Sequence, residues 1–153
     1  MASNLTSNEP HQPNLSIIDH QLSTEGLSMS EPFMPISVVL PEAGTTLIGD
    51  IRCKVSSAAT NDQCTVLEVT LPPGQGAAMH QHEVEMEILV VQAGRCTVGD
   101  ERNQWVLEVG GIAHFPQRTR HFFRNDHPET CVILITAIPG GLDRFFEALA
   151  AQA

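Results

Sequence analysis

The chain has 153 residues, 42 % of them apolar, and a formal net charge of -10. That length suits one domain with a sizeable core, and that composition excludes a fully disordered chain. A surface with 18 acids against 8 bases repels phosphate backbones and anionic lipid, so neither nucleic acid nor a membrane is expected as a partner. No apolar run approaches the ~20 residues of a membrane span, and the polar start lacks a basic-then-apolar leader pattern, so the cytoplasm is the expected compartment.

The first elements are polar. Met1–Ser30 is rich in Ser, Asn, Gln and Pro around one apolar cluster, Leu15–Ile18. Such a segment buries too little surface to offset its ordering entropy, so a flexible arm is expected over residues 1–32 and a folded domain over residues 33–153. Short strand-like runs then follow: Thr45–Val55, Cys64–Leu71, Glu87–Gln92, Arg95–Val98, Gln104–Val109, Ile112–Phe115 and Arg120–Phe123. Gly99-Asp100 and Gly110-Gly111 provide turns between them. Cys131–Ile138 is apolar nearly throughout, which predicts a strand covered on both faces. Many short strands with closely spaced turns predict an all-β sandwich or barrel. After Pro139-Gly140-Gly141 the period changes: Leu142, Phe145, Phe146 and Leu149 predict a short C-terminal helix on the outside of the β body, with both phenylalanines as packing groups. The four cysteines, Cys53, Cys64, Cys96 and Cys131, are widely spaced and read as free, buried thiols.

Four residues carry the chemistry. On an extended segment His80 and His82 point to one side, and Glu87 opens the apolar run Ile88–Val91 on what should be its inward face. His121 arrives later, between polar residues and Phe122-Phe123. Two imidazoles and a carboxylate converging inside a barrel are costly unless paired, and a divalent metal removes that cost. A His-x-His pair alone is common on solvated surfaces. Spacing is what raises this one.

The run Gly74-x5-His80-x-His82-x4-Glu87-x6-Gly94 matches the first cupin motif at each fixed position, and Gly110, Pro116, His121 and Asn125 meet the second. Arg118 stands where the second motif has its inner glycine, which puts the turn geometry there in question. Over Thr45–Ile138 the chain therefore resembles a single-domain cupin, and its Pro139–Phe146 tail is similar to that of bacterial quercetin-dioxygenase-like cupins. The resemblance implies an all-β jelly roll, or double-stranded β-helix, with a short C-terminal helix and the N-terminal arm. It also implies one divalent first-row metal (iron, manganese, nickel, copper or zinc) on His80, His82, Glu87 and His121, and a homodimer formed through outer strand faces. Three imidazoles and one carboxylate leave one or two positions of an octahedron open, an arrangement suited to dioxygenase-like oxidation of a small, partly apolar compound. A metal-dependent isomerase or lyase and a non-catalytic binding protein share the same ligands.

Around that centre, Glu85 and His114 are the candidate acid/base groups, each with a bland alternative as a surface side chain. Leu89, Val91 and Phe123 share strand parity with Glu87 or His121 and are expected to line the cavity, with Trp105 as a further apolar wall. Arg118 is a candidate anchor for an anionic substrate at the mouth. The chain has no tyrosine, so no phenolic acid/base is available.

Overall fold

The computed structural model describes residues 36–152, so the arm expected over residues 1–32 lies outside the described residues. In chain order the strands are β1 (Thr45–Thr46), β2 (Ile51–Val55), β3 (Thr65–Leu71), β4 (Gly76–His80) and β5 (Met86–Ala93). They continue as β6 (Cys96–Gly99), β7 (Gln104–Leu107), β8 (Ile112–Phe115), β9 (His121–Arg124) and β10 (Cys131–Ile138), before helix α1 (Leu142–Ala150). Two antiparallel sheets result, a larger one in the order β1-β2-β3-β10-β5-β8 and a smaller one in the order β4-β9-β6-β7.

Alternation decides which residues enter the space between the sheets. Along β3, Thr65, Leu67, Val69 and Leu71 are buried while the residues between them are only half-buried. β10 repeats this with Cys131, Ile133, Ile135 and Ala137, and β5 with Glu87, Leu89 and Val91. The core joins these to Cys96, Val98, Phe115 and Phe123. The apolar run Cys131–Ile138 is thus buried on one face only. Its other face, with Val132, Leu134 and Thr136, is half-covered because β10 lies between β3 and β5. The expected run Thr45–Val55 is broken at Ile48–Asp50, where a turn closes through the Ile51 amide on the Ile48 carbonyl at 3.1 Å.

All four cysteines are free; Cys53, Cys96 and Cys131 are buried as expected, but Cys64, just before β3, is only half-buried. Burial pushes the Cys96 thiol up to about 12, so it packs as a neutral group. The turn after β5 needs its glycine. Gly94 sits at φ 68°, and a Cβ there would come within 2.5 Å of the Thr130 carbonyl oxygen. Gly94→Ala therefore combines a left-handed backbone with a clash, and urea unfolding is expected to show a loss of about 2–3 kcal/mol. An unchanged midpoint would mean that the Thr130 segment yields freely.

Helix α1 does not pack on the outside of the body. Its Leu142 and Phe146 lie with Cys53, Leu67 and Ala137, residues of the inward face of the larger sheet, so it closes one end of the inter-sheet space. A polar clasp fixes its first turn. The Asp143 carboxylate accepts hydrogen bonds from the Ser57 amide (2.9 Å), the Ser57 hydroxyl (3.0 Å) and the Thr65 hydroxyl (3.2 Å). Arg144 donates to Ser57 Oγ and Asp62 Oδ1, each at 2.6 Å, and the Gly141 amide donates to Thr65 Oγ1 at 3.0 Å. The turn Ser56–Asp62, which joins β2 to β3, is therefore tied to the start of α1.

Candidate metal centre

The smaller sheet brings β4 beside β9, with His80 directly across from His121. Two residues after β4, His82 reaches the same point. From the larger sheet, β5 aligns Glu87 with Ala137 on one side and Phe115 on the other, which turns its carboxylate inward. One ligand atom from each of His80, His82, Glu87 and His121 lies within 4.8 Å of the others. Glu87 and His121 are each 2 % exposed, so neither has bulk water to solvate it.

Backbone carbonyls orient two of the rings. His80 Nδ1 donates to the Ala78 carbonyl at 2.7 Å, and His121 Nδ1 to the Thr119 carbonyl at 2.8 Å. A carbonyl only accepts, so both protons sit on Nδ1 and each Nε2 is left to offer its lone pair. Phe115 stacks on His121, with centroids 4.3 Å apart and planes 8° from parallel, and locks the ring in place.

Without a cation these contacts are poorly matched. His121 Nε2 lies 3.2 Å from Glu87 Oε2, and His82 Nε2 lies 3.4 Å from Glu87 Oε1. His82 Nε2 is buried and has no hydrogen-bond partner. Imidazole lone pairs facing a buried carboxylate call either for extra protons or for a positive ion shared among them. In the protein alone, burial pushes the Glu87 carboxyl up, but the interactions with His121 and His82 outweigh it and hold it at about 2. The same carboxylate raises His82, whereas burial lowers His80. The donor set of three neutral nitrogens and one ionised oxygen, with an orphaned nitrogen among them, fits a divalent first-row metal.

The centre opens into a cavity of about 920 Å³ whose walls come from β2, β3, β4 and α1. Apolar groups dominate it, among them Ile51, Met79, Phe123, Phe145 and Phe146. Glu85 also lines it, its carboxylate 4.0 Å from His82 Nδ1.

The other residues singled out in the sequence are distributed unevenly. Phe123 lines the cavity as expected from its parity with His121, but Leu89 and Val91 are wholly enclosed in the core and do not reach it. His114 lies across from Ile88 on the outer face of the larger sheet and is exposed, away from the cavity. Trp105 is 53 % exposed on β7, an edge strand, and lies outside the cavity wall. Arg118 takes the left-handed φ of 60° that glycine favours, so the turn keeps its shape and the Arg118 amide still bonds the His82 carbonyl at 2.8 Å. Its guanidinium points to solvent beside Glu83, 3.4 Å away, rather than into the cavity. The cavity contacts of Phe145 and Phe146 were not legible in sequence, because a helical period shows that a face is buried but not what it is buried against.

Residues 67–137 match the Cupin_2 family, described as the cupin domain. The fold is that of a cupin. Solved structures agree with it. A KdgF protein from a Halomonas species is 20% identical, with a TM-score of 0.57 over 71% of this chain and 99% of that one. A protein described as a predicted oxalate decarboxylase from Thermotoga maritima is 21% identical, with a TM-score of 0.56 over 58% of this chain and 78% of that one. A sugar phosphate isomerase of the cupin superfamily from Silicibacter pomeroyi is 20% identical, with a TM-score of 0.50 over 58% of this chain and 59% of that one. At these identities the likeness is one of fold. Among curated proteins none matches this sequence. Among the described residues, no helix is long and apolar enough to cross a membrane.

Proposed function

We propose that this cupin is a metal-dependent enzyme, a dioxygenase-like oxidoreductase acting on a small, partly apolar compound. The observation that carries the reading is the meeting of three imidazoles and a carboxylate within 4.8 Å at the wall of an apolar cavity. A closed structural centre would more often use thiolates, and none of the four cysteines is in this cluster. A bound divalent first-row metal supplies Lewis-acid and redox chemistry there. The chain's own residues do the rest. His80 and His121 keep their Nε2 atoms aimed inward by giving their protons to the Ala78 and Thr119 carbonyls. Phe123, Phe145 and Phe146 exclude water from the substrate's body. Glu85 accepts or returns a proton at the cavity wall beside His82.

That last residue favours a second reading, an oxygen-independent isomerase or lyase in which Glu85 is the acid/base. The protein is proposed to work in the cytoplasm and as a two-fold dimer, its outer contact formed by the half-buried Ile88, Val90 and Leu134 with the exposed Ile112. Elemental analysis followed by aerobic and anaerobic assays on catechol-like, flavonol-like and diketone compounds tests the reaction. Oxygen uptake coupled to substrate loss is the expected result. Equal turnover under argon supports the second reading instead, and binding without turnover of any compound leaves a non-catalytic carrier.

A further inference from the structure

Among the described residues, no lysine or arginine lines the cavity. The chain's 8 basic residues are Arg52, Lys54, Arg95, Arg102, Arg118, Arg120, Arg124 and Arg144, and none belongs to the cavity wall. Arg52 lies between Glu42 and Glu68, each 3.7 Å away, on the outer face. Lys54 donates to the carbonyls of Leu40, Pro41 and Ala43. Arg118, Arg120, Arg124 and Arg144 pair with Glu83, Glu101, Asp126 and Asp62. Arg95 and Arg102 are exposed beside turns. Residues 1–35, which the structure does not describe, contain neither Lys nor Arg. The wall does contain three carboxylates, Asp50, Glu85 and Glu87, and Glu87 alone belongs to the ligand cluster.

We infer that the cavity discriminates against anions: its substrate has an apolar body and carries no phosphate or carboxylate tail. Tight recognition of phosphate or carboxylate relies on arginine or lysine forks or on a helix N-terminus aimed at the ligand. In this molecule none of the cations reaches the cavity wall, and the first turn of α1 carries the Asp143 carboxylate, which disfavours an anion there. A carboxylate tail in the cavity would face the half-buried Glu85 carboxylate, with the exposed Asp50 carboxylate also on the wall, and like charges repel there. The aromatic rings of Phe123, Phe145 and Phe146 instead suit a neutral or cationic tail. The inference rests on the metal-centre reading only for the chelating end of the compound; the charge preference belongs to the cavity wall.

Three probes share one chelating diol and differ in the tail: 4-methylcatechol, 3,4-dihydroxybenzoate and 3,4-dihydroxybenzylamine. Cobalt(II)-loaded protein is titrated with each under argon and followed by visible absorption. The metal-free protein is titrated in parallel and followed by amide chemical shifts over residues 76–80. The methyl and amine compounds are expected to bind at least about tenfold more tightly than the carboxylate. Glu85→Gln narrows that ratio, and Phe145→Lys, at a position 54 % exposed and so tolerant of a charge, raises carboxylate affinity. Carboxylate binding as tight as that of the methyl compound overturns the inference, and so does an absence of binding by all three probes at millimolar concentration. Failure of the protein to take up cobalt counts against the metal-centre reading, while the metal-free ranking still decides the charge preference.

Discussion

Replacing His80 and His82 together with alanine is expected to abolish retention of a divalent metal while leaving the fold intact. Each ring is only half-buried, and each belongs to the centre rather than to the core clusters, so the sheets lose little packing. The centre, by contrast, loses two of its three imidazoles, and Glu87 and His121 alone form a site too poor in donors to hold a first-row ion through purification. Metal content by elemental analysis should drop from near stoichiometric to background, a change on the order of a hundredfold, with the circular dichroism spectrum unchanged. The double variant retaining metal at the level of the unaltered protein would remove the ligand assignment. An intermediate test is Phe115→Leu, which keeps every donor and frees the His121 ring that Phe115 stacks on.

The second large effect is on stability. Asp143→Ala removes a buried carboxylate that accepts from the Ser57 amide, the Ser57 hydroxyl and the Thr65 hydroxyl. The Ser57 amide, in a residue 1 % exposed, is then left without its acceptor. A loss of about 3 kcal/mol follows, read as a fall in Tm of roughly 10 °C. The same group sets an acid dependence. Burial alone would raise the Asp143 pKa, but the bonds from Ser57, Arg144 and Thr65 outweigh it and hold it below its ordinary value of 3.8. In that range the unfolded chain binds more protons than the folded one, so stability rises with pH. Its contribution is complete above the unfolded value of about 3.9 and is lost as pH falls through the folded value. Denaturation midpoints measured across that range should flatten in Asp143→Ala. A variant as stable as the parent at pH 7 would show that the clasp does not hold α1.

The sequence made the β body legible because one buried face writes itself as period two in Thr65–Leu71, Met86–Ala93 and Cys131–Ile138. The four ligand positions were legible for a different reason, since motif spacing placed them before any strand register was known. β4 carried less signal: Gly76-Ala77-Ala78-Met79 has little β propensity, and only its terminal histidine marked it. His114 and Trp105 illustrate a further limit. Strand parity says that neighbours face opposite ways, but which way is inward depends on pairing, and an edge strand can leave a large ring exposed. The clasp of α1 joins residues 86 positions apart, a separation over which local pattern carries no information.

The four donors do not belong to one sheet. His80, His82 and His121 come from β4, its exit and β9, while Glu87 comes from β5 on the opposing layer. An ion gripped by all four is a rivet through both leaves of the sandwich, so sliding of one leaf over the other would be felt first as a distortion of the coordination sphere. Mutations that loosen packing far from the cavity can therefore reach the chemistry without touching any group that performs it.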